Sequence, residues 1–166
     1  MTAGTPSPDN GIARKRLLIV AHAPSPNTRK LADAVLRGAR HEEIENVDAE
    51  WIPPLDAGPD DVLRADGIIL GTTENLGYMS GALKDFFDRS YYQVIDHKQG
   101  MPCAVYIRAR LDGTGTRRAL EAILAGLRWK QVQEILLCHG EWQDAFVDQC
   151  EELGMHMAAG LDAGIF

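Results

Sequence analysis

The sequence predicts a three-layer α/β/α sandwich around a five-stranded parallel sheet of order 2-1-3-4-5. Two observations carry this expectation: five apolar runs of strand length alternate with helical segments, and four of the runs are almost continuously apolar. Strands buried on both faces of a parallel sheet read that way. Right-handed crossovers then put helices on both sides of the sheet.

The first run, Leu17 to Ala21, precedes a helix whose Leu31, Val35, Leu36 and Ala39 share one face. Val47 to Ile52 alternates Val47, Ala49 and Trp51 with Asp48 and Glu50, which suits an edge strand. Behind the breakers of "IPPLDAGP" there is room only for a short helix near Pro59 to Arg64. The third run, Gly67 to Leu70, leads to a helix striped with Leu83, Phe86, Phe87 and Tyr91. Cys103 to Ile107 forms the fourth strand, followed by Leu120, Ile123, Leu124 and Leu127 at helical spacing. Val132 to Leu137 is the expected fifth strand, and Trp142, Phe146, Cys150, Leu153 and Met157 stripe the last helix.

A chain of 166 residues with 45% hydrophobic and 25% charged residues suits one domain, expected over residues 15–166 behind a flexible tail, "MTAGTPSPDNGIAR", at 1–14. The net charge of -7 argues against a nucleic-acid partner, because phosphate binding needs clustered cations. No run approaches the roughly 18 apolar residues of a membrane span. The tail lacks a secretory apolar run, so no membrane partner and a cytoplasmic location are expected. Cys103, Cys138 and Cys150 are odd in number and without a CxxC, and read as small buried hydrophobes. The histidines, His22, His41, His97, His139 and His156, lack paired ligand spacing, so no metal is assigned.

In this strand order the loops after strands one, three and four meet at one rim of the sheet. They are "HAPSPNT", "TTENLGYMS" and "RARLDGTG". Ser25, Asn27 and Thr28 suit either a phosphate held at a helix N-terminus or plain helix capping. There is no GxGxxG and no GxxxxGK[ST]. Glu74 and Asn75, with the backbone around them, can follow the polar edge of a heteroaromatic ring. Tyr78 either lies on a ring face or packs on a helix, and Met79 reads as packing. Gly71, Gly77 and Gly81 permit tight turns, and Gly113 and Gly115 either admit a ligand or make a turn before a helix. Ser80 reads as a helix cap, since the glycines of "GYMSG" are misplaced for a nucleophile elbow. A receiver domain shares the strand order but needs an acidic pocket, where this chain has Ala21-His22 and Gly71-Thr72.

The stretches "LLIVAHAPSPNTRKLADAV", "ADGIILGTTENLGYMSGALKDFFDR" and "RARLDGTGTRRALEAILAGLRW" together resemble the flavodoxin-like flavoproteins, especially NAD(P)H-dependent FMN reductases and flavodoxin family proteins. The resemblance runs from about Arg16 to Trp129 and is most specific in the middle stretch. It implies FMN as cofactor, NAD(P)H as electron donor and a quinone or similar small molecule as acceptor. The alternative it leaves is a non-catalytic, flavodoxin-type electron carrier. Carried over, the phosphate falls to Ser25, Asn27 and Thr28 with His22 and Pro24 nearby. The ring falls to Thr72, Thr73, Glu74, Asn75, Leu76, Gly77 and Tyr78, and to Ala109, Arg110, Asp112, Gly113 and Gly115. No catalytic side chain is implied, because the cofactor carries the chemistry. Two departures stand out: "SPNT" replaces the T/S-x-T-G-x-T of flavodoxins, and Thr73 stands where many such reductases have proline. Arg108, Arg110, Arg117 and Arg118 either receive the phosphates of NADPH or form a solvated helix face. A homodimer is also implied, with Trp51 or the C-terminal "GLDAGIF" as candidate interface.

Overall fold

The computed structural model describes residues 13–166, so most of the expected tail lies outside the described residues. Its last residue does not: Arg14 is fastened to the second strand, its guanidinium donating to Asp48 (2.8 Å) and to the Glu45 carbonyl (2.8 Å).

The strands are β1 (Lys15–Ala21), β2 (Val47–Ile52), β3 (Gly67–Asn75), β4 (Tyr78–Met79), β5 (Pro102–Ala109), β6 (Lys130–Gln131) and β7 (Leu136–His139). The helices are α1 (Pro26–Ala39), α2 (Pro59–Arg64), α3 (Gly81–Val94), α4 (Thr114–Leu127) and α5 (Ala145–Asp162). Across the sheet the order is β2-β1-β3-β5, with β6 and then β7 along the far side of β5. All of these pair in parallel, which is the expected 2-1-3-4-5 sandwich. β2 is the edge strand, with Val47 and Ala49 buried and Asp48 and Glu50 exposed.

Strand alternation divides the core into two layers. Leu17, Ile19, Ile69, Ala104 and Tyr106 face α1 and α5. Leu18, Val20, Ile68, Leu70, Val105 and Ile107 face α2, α3 and α4. On the first side α1 and α5 meet backbone to backbone. A β-carbon on Gly38 would collide with the Glu151 carbonyl, and one on Gly154 with the Val35 carbonyl. Glycine at both crossings lets the helices approach this closely. All three cysteines are free and buried, and burial pushes the Cys103 thiol up to about 12.

Three sequence expectations change. The fifth strand is broken: Gln131 pairs with Cys103 and Leu136 with Tyr106, so four residues on one strand face two on the other and the ladder opens between them. The run from Val132 keeps only the bond from the Val132 N–H to the Cys103 carbonyl (3.1 Å) before β7 resumes. Trp142 precedes α5 and is not on its stripe. The loop expected after Leu70 is mostly strand: β3 runs on to Asn75 and turns back as antiparallel β4.

Candidate functional site

The carboxyl ends of β1, β3 and β5 lie side by side, so the three unusual loops do share one rim. The His22 N–H donates to the Gly71 carbonyl (2.9 Å), which joins the first loop to the second.

In the first loop, the capping reading accounts for two of the three polar residues. Ser25 Oγ accepts from the Thr28 N–H (3.2 Å), and the Ser25 N–H donates to Thr28 Oγ1 (2.9 Å). Thr28 is buried by this reciprocal capping box. First-turn N–H groups have no intrahelical partner. Here Pro26 has none to offer and that of Thr28 is taken, so Asn27 presents the remaining one, beside its exposed side chain. Pro24 is exposed and His22 half-buried, and burial holds the His22 imidazole below its ordinary pKa.

The second loop is a two-residue hairpin. Asn75 pairs with Tyr78, and the residues between them, Leu76 (φ 53°) and Gly77 (φ 73°), both have left-handed backbone. That is the turn whose twist suits a tight hairpin, though leucine is an unusual occupant of it. Thr72 is a structural tie inside the hairpin, buried, with Oγ1 accepting from the Ser80 N–H (3.0 Å) and donating to the Thr73 carbonyl (2.8 Å). Thr73 Oγ1 donates to Asn75 Oδ1 (3.1 Å), which leaves the Asn75 amide nitrogen to outside partners. Glu74 is half-buried. Ser80 caps α3 through the Leu83 N–H (3.2 Å), and Met79 is core, as expected.

The third loop is held against this hairpin. A β-carbon on Gly115 would strike the Gly77 carbonyl oxygen, so the first turn of α4 and the hairpin tip touch through backbone. Gly113 (φ 69°) turns the chain into α4, and Asp112 Oδ1 accepts from the Thr114 N–H (3.1 Å), which holds the carboxyl below its usual range. The N–H groups of Gly115 and Thr116 follow at the open end of the helix. Ala109 is buried, and Arg110 is exposed. Of the other basic residues of this region, Arg118 is exposed, Arg108 donates to the Ala109 and Cys138 carbonyls (2.7 and 2.9 Å), and Arg117 pairs with Glu121 (3.0 Å).

Sequence reading missed the apolar character of this edge. Leu76 is 106% exposed, Leu111 76% and Tyr78 39%, all on the touching loops. It also missed a hollow of about 380 Å3 on the other side of the first loop, where Trp51 and Arg29 stand against Pro53 and Pro54. Trp51 itself is half-buried, with its indole N–H donating to the Ala21 carbonyl (3.0 Å), so it is less available as an interface than its position suggests. A hollow of about 900 Å3 runs along α5 beside Ile44 and Ile135 and includes no rim residue.

Fold and rim together define a class: doubly wound α/β proteins whose strand-end loops gather at one rim of the sheet. A family model described as NADPH-dependent FMN reductase matches residues 15–143, and the chain belongs to this family of flavodoxin-like flavoproteins, oxidoreductases and electron-transfer proteins with FMN as cofactor. It is 36% identical over 73 residues to a flavodoxin of Aquifex aeolicus (strain VF5), covering 44% of this chain and 38% of that one. It is 29% identical over 93 residues to an NAD(P)H dehydrogenase (quinone) of Acidithiobacillus ferrooxidans, covering 45% and 46%. The matches thus span less than half the length of these relatives. Among solved structures, a flavodoxin from the domain Archaea superposes with a TM-score of 0.74 at 20% identity, covering 88% of this chain and 98% of that one. At that identity the likeness concerns the fold.

The residues present fit the cofactor. Glycine at 115 lets the first turn of α4 meet the hairpin tip backbone to backbone, exposed apolar surface flanks that contact, and N–H donors remain at both helix starts. Among the described residues no helix is long and apolar enough to cross a membrane.

Proposed function

We propose that this chain is an FMN-dependent oxidoreductase that accepts hydride from NAD(P)H and passes electrons to a quinone or similar small acceptor. The observation that carries it is the backbone junction of Gly77 and Gly115, which welds two loops with exposed apolar side chains into one edge of the rim. FMN, when bound, supplies the hydride and electron chemistry. The chain's task is to bind and orient. Asn27, with Ser25 and Thr28 shaping the turn, faces the phosphate; His22 and Pro24 border it. Leu76 and Tyr78 would cover the ring, and Asn75 and the backbone of Gly77, Gly113 and Gly115 would meet its polar edge. Thr72, Thr73 and Asp112 set loop geometry, Ala109 ends the strand beneath, and Glu74 and Arg110 place opposite charges at the rim.

A carrier that docks on a basic redox partner is the second reading, favoured by the net charge of -7. Anaerobic mixing of the FMN-loaded protein with NADPH and NADH separates the two. Prompt bleaching of the flavin band, reversed by a quinone, supports the enzyme; reduction only through an added reductase supports the carrier.

A further inference from the structure

The hollow of about 380 Å3 on the β2 side of the first loop has the makings of a site in its own right. Its volume lies near the lower end of the roughly 300–1,000 Å3 seen for small-molecule pockets. One wall is the Trp51 ring, fixed by its bond to the Ala21 carbonyl. The turn Pro53-Pro54 also lines it, and Arg89 of α3 holds that turn by donating to the carbonyls of Pro54 and Ala57 (2.8 Å each). The walls are therefore flat, apolar and braced from two elements.

The polar equipment is sparse and one-sided. The Arg29 guanidinium lies 5.0 Å from the Trp51 ring centroid. Among the described residues it pairs with no carboxylate, as is also true of Arg40, Arg108, Arg110 and Arg118, but it alone of these lines the hollow. A cation left over in a chain of net charge -7 is a receiver for an anion from outside, and a planar guanidinium over an aromatic ring offers both stacking and paired donors to a phosphate. His22 and Pro24 line the hollow and also belong to the first loop, so the pocket and the phosphate turn share a border. Flat walls ask for a planar ring, and the cation asks for a phosphate attached to it.

We propose that this hollow is an adenylate site, taking a purine against Trp51 and the Pro53-Pro54 turn and its phosphate on Arg29. Two ligands carry that group: FAD, whose second phosphate follows directly from the one at the first loop, and NADPH. The FAD source rests on the function proposed above; the pocket itself does not.

The test titrates the full-length chain with 5′-AMP and 2′,5′-ADP, read by tryptophan fluorescence, and with FMN and FAD, read by flavin fluorescence. Trp51→Phe and Arg29→Gln accompany the wild type, with circular dichroism to check folding. Saturable 5′-AMP binding is expected, weakened about fivefold or more by Arg29→Gln, with most of the fluorescence change gone in Trp51→Phe. FAD bound at least about fivefold more tightly than FMN, with that ratio collapsing in Arg29→Gln, assigns the group to the flavin. Equal FMN and FAD affinity, with Arg29→Gln raising KM for NADPH and leaving kcat unchanged, assigns it to the nicotinamide dinucleotide. The proposal is overturned if no adenylate saturates and Arg29→Gln alters neither the FAD-to-FMN ratio nor KM. Absent FMN binding with 5′-AMP binding retained overturns the function above and upholds this site.

Discussion

The first and second loops leave the same end of the same sheet and use their polar groups in opposite ways. In the first, Ser25 and Thr28 satisfy each other and two prolines lack N–H donors, so Asn27 is left as the turn's main open donor. In the second, Leu76 and Tyr78 stand in solvent on a hairpin whose leucine has left-handed backbone. Groups already paired contribute little more to a ligand, whereas apolar surface and open donors contribute on contact. In the binding mode proposed above, the difference teaches that the ring side, and not the phosphate side, should dominate cofactor affinity.

The most severe test is Gly115→Val. Branched carbon at the Gly77 carbonyl must part α4 from the hairpin, and overpacking of this kind costs about 1–3 kcal/mol. FMN affinity should fall about ten- to a hundredfold in a fluorescence titration, with helix content unchanged. Unaltered affinity would show that the two loops do not act as one edge. Next comes Tyr78→Ala, where loss of an aromatic contact worth about 0.5–1.5 kcal/mol predicts about a two- to tenfold weaker complex. Leu76→Gly separates strain from binding: it should stabilise the fold by about 1 kcal/mol by relieving the φ of 53°, while weakening FMN.

Ser25→Ala probes the other side. Loss of a helix cap should lower stability by about 1 kcal/mol in denaturant unfolding. FMN affinity should drop less than it does in Tyr78→Ala. A larger drop for the serine variant would reverse the ranking of the two loops. The smallest effect concerns His22. Its folded pKa is depressed by burial, so the unfolded chain holds the proton more tightly. Its contribution is complete above the unfolded value of about 6.5 and fades as pH falls through the folded pKa. Melting temperatures of wild type and His22→Asn should therefore converge on the acid side, and a constant gap from pH 5 to 8 would refute that.

The fold was largely legible because its signals are local: continuous apolar runs for β1, β3 and β5, and the alternation of Val47 to Glu50 for the edge. The strand break before Leu136 was not, because Val132, Ile135 and Leu136 read as one apolar run and only pairing with β5 decides the register. The site was legible as three loops but not as a surface. "TTENLGYMS" looks irregular because threonines that continue β3 are also turn formers, and nothing before the fold is known places Gly77 against Gly115. Arg29 and Trp51 were separately visible, yet their meeting depends on β2 lying next to β1.

The interlocked glycines of α1 and α5 bear on how this chain comes into being. α5 fits against α1 from far along the chain, so the layer over Ile19 and Tyr106 is only partly covered until α5 has been made. Such distant partners make for slow closure, and the growing chain carries a partly open apolar flank until α5 emerges.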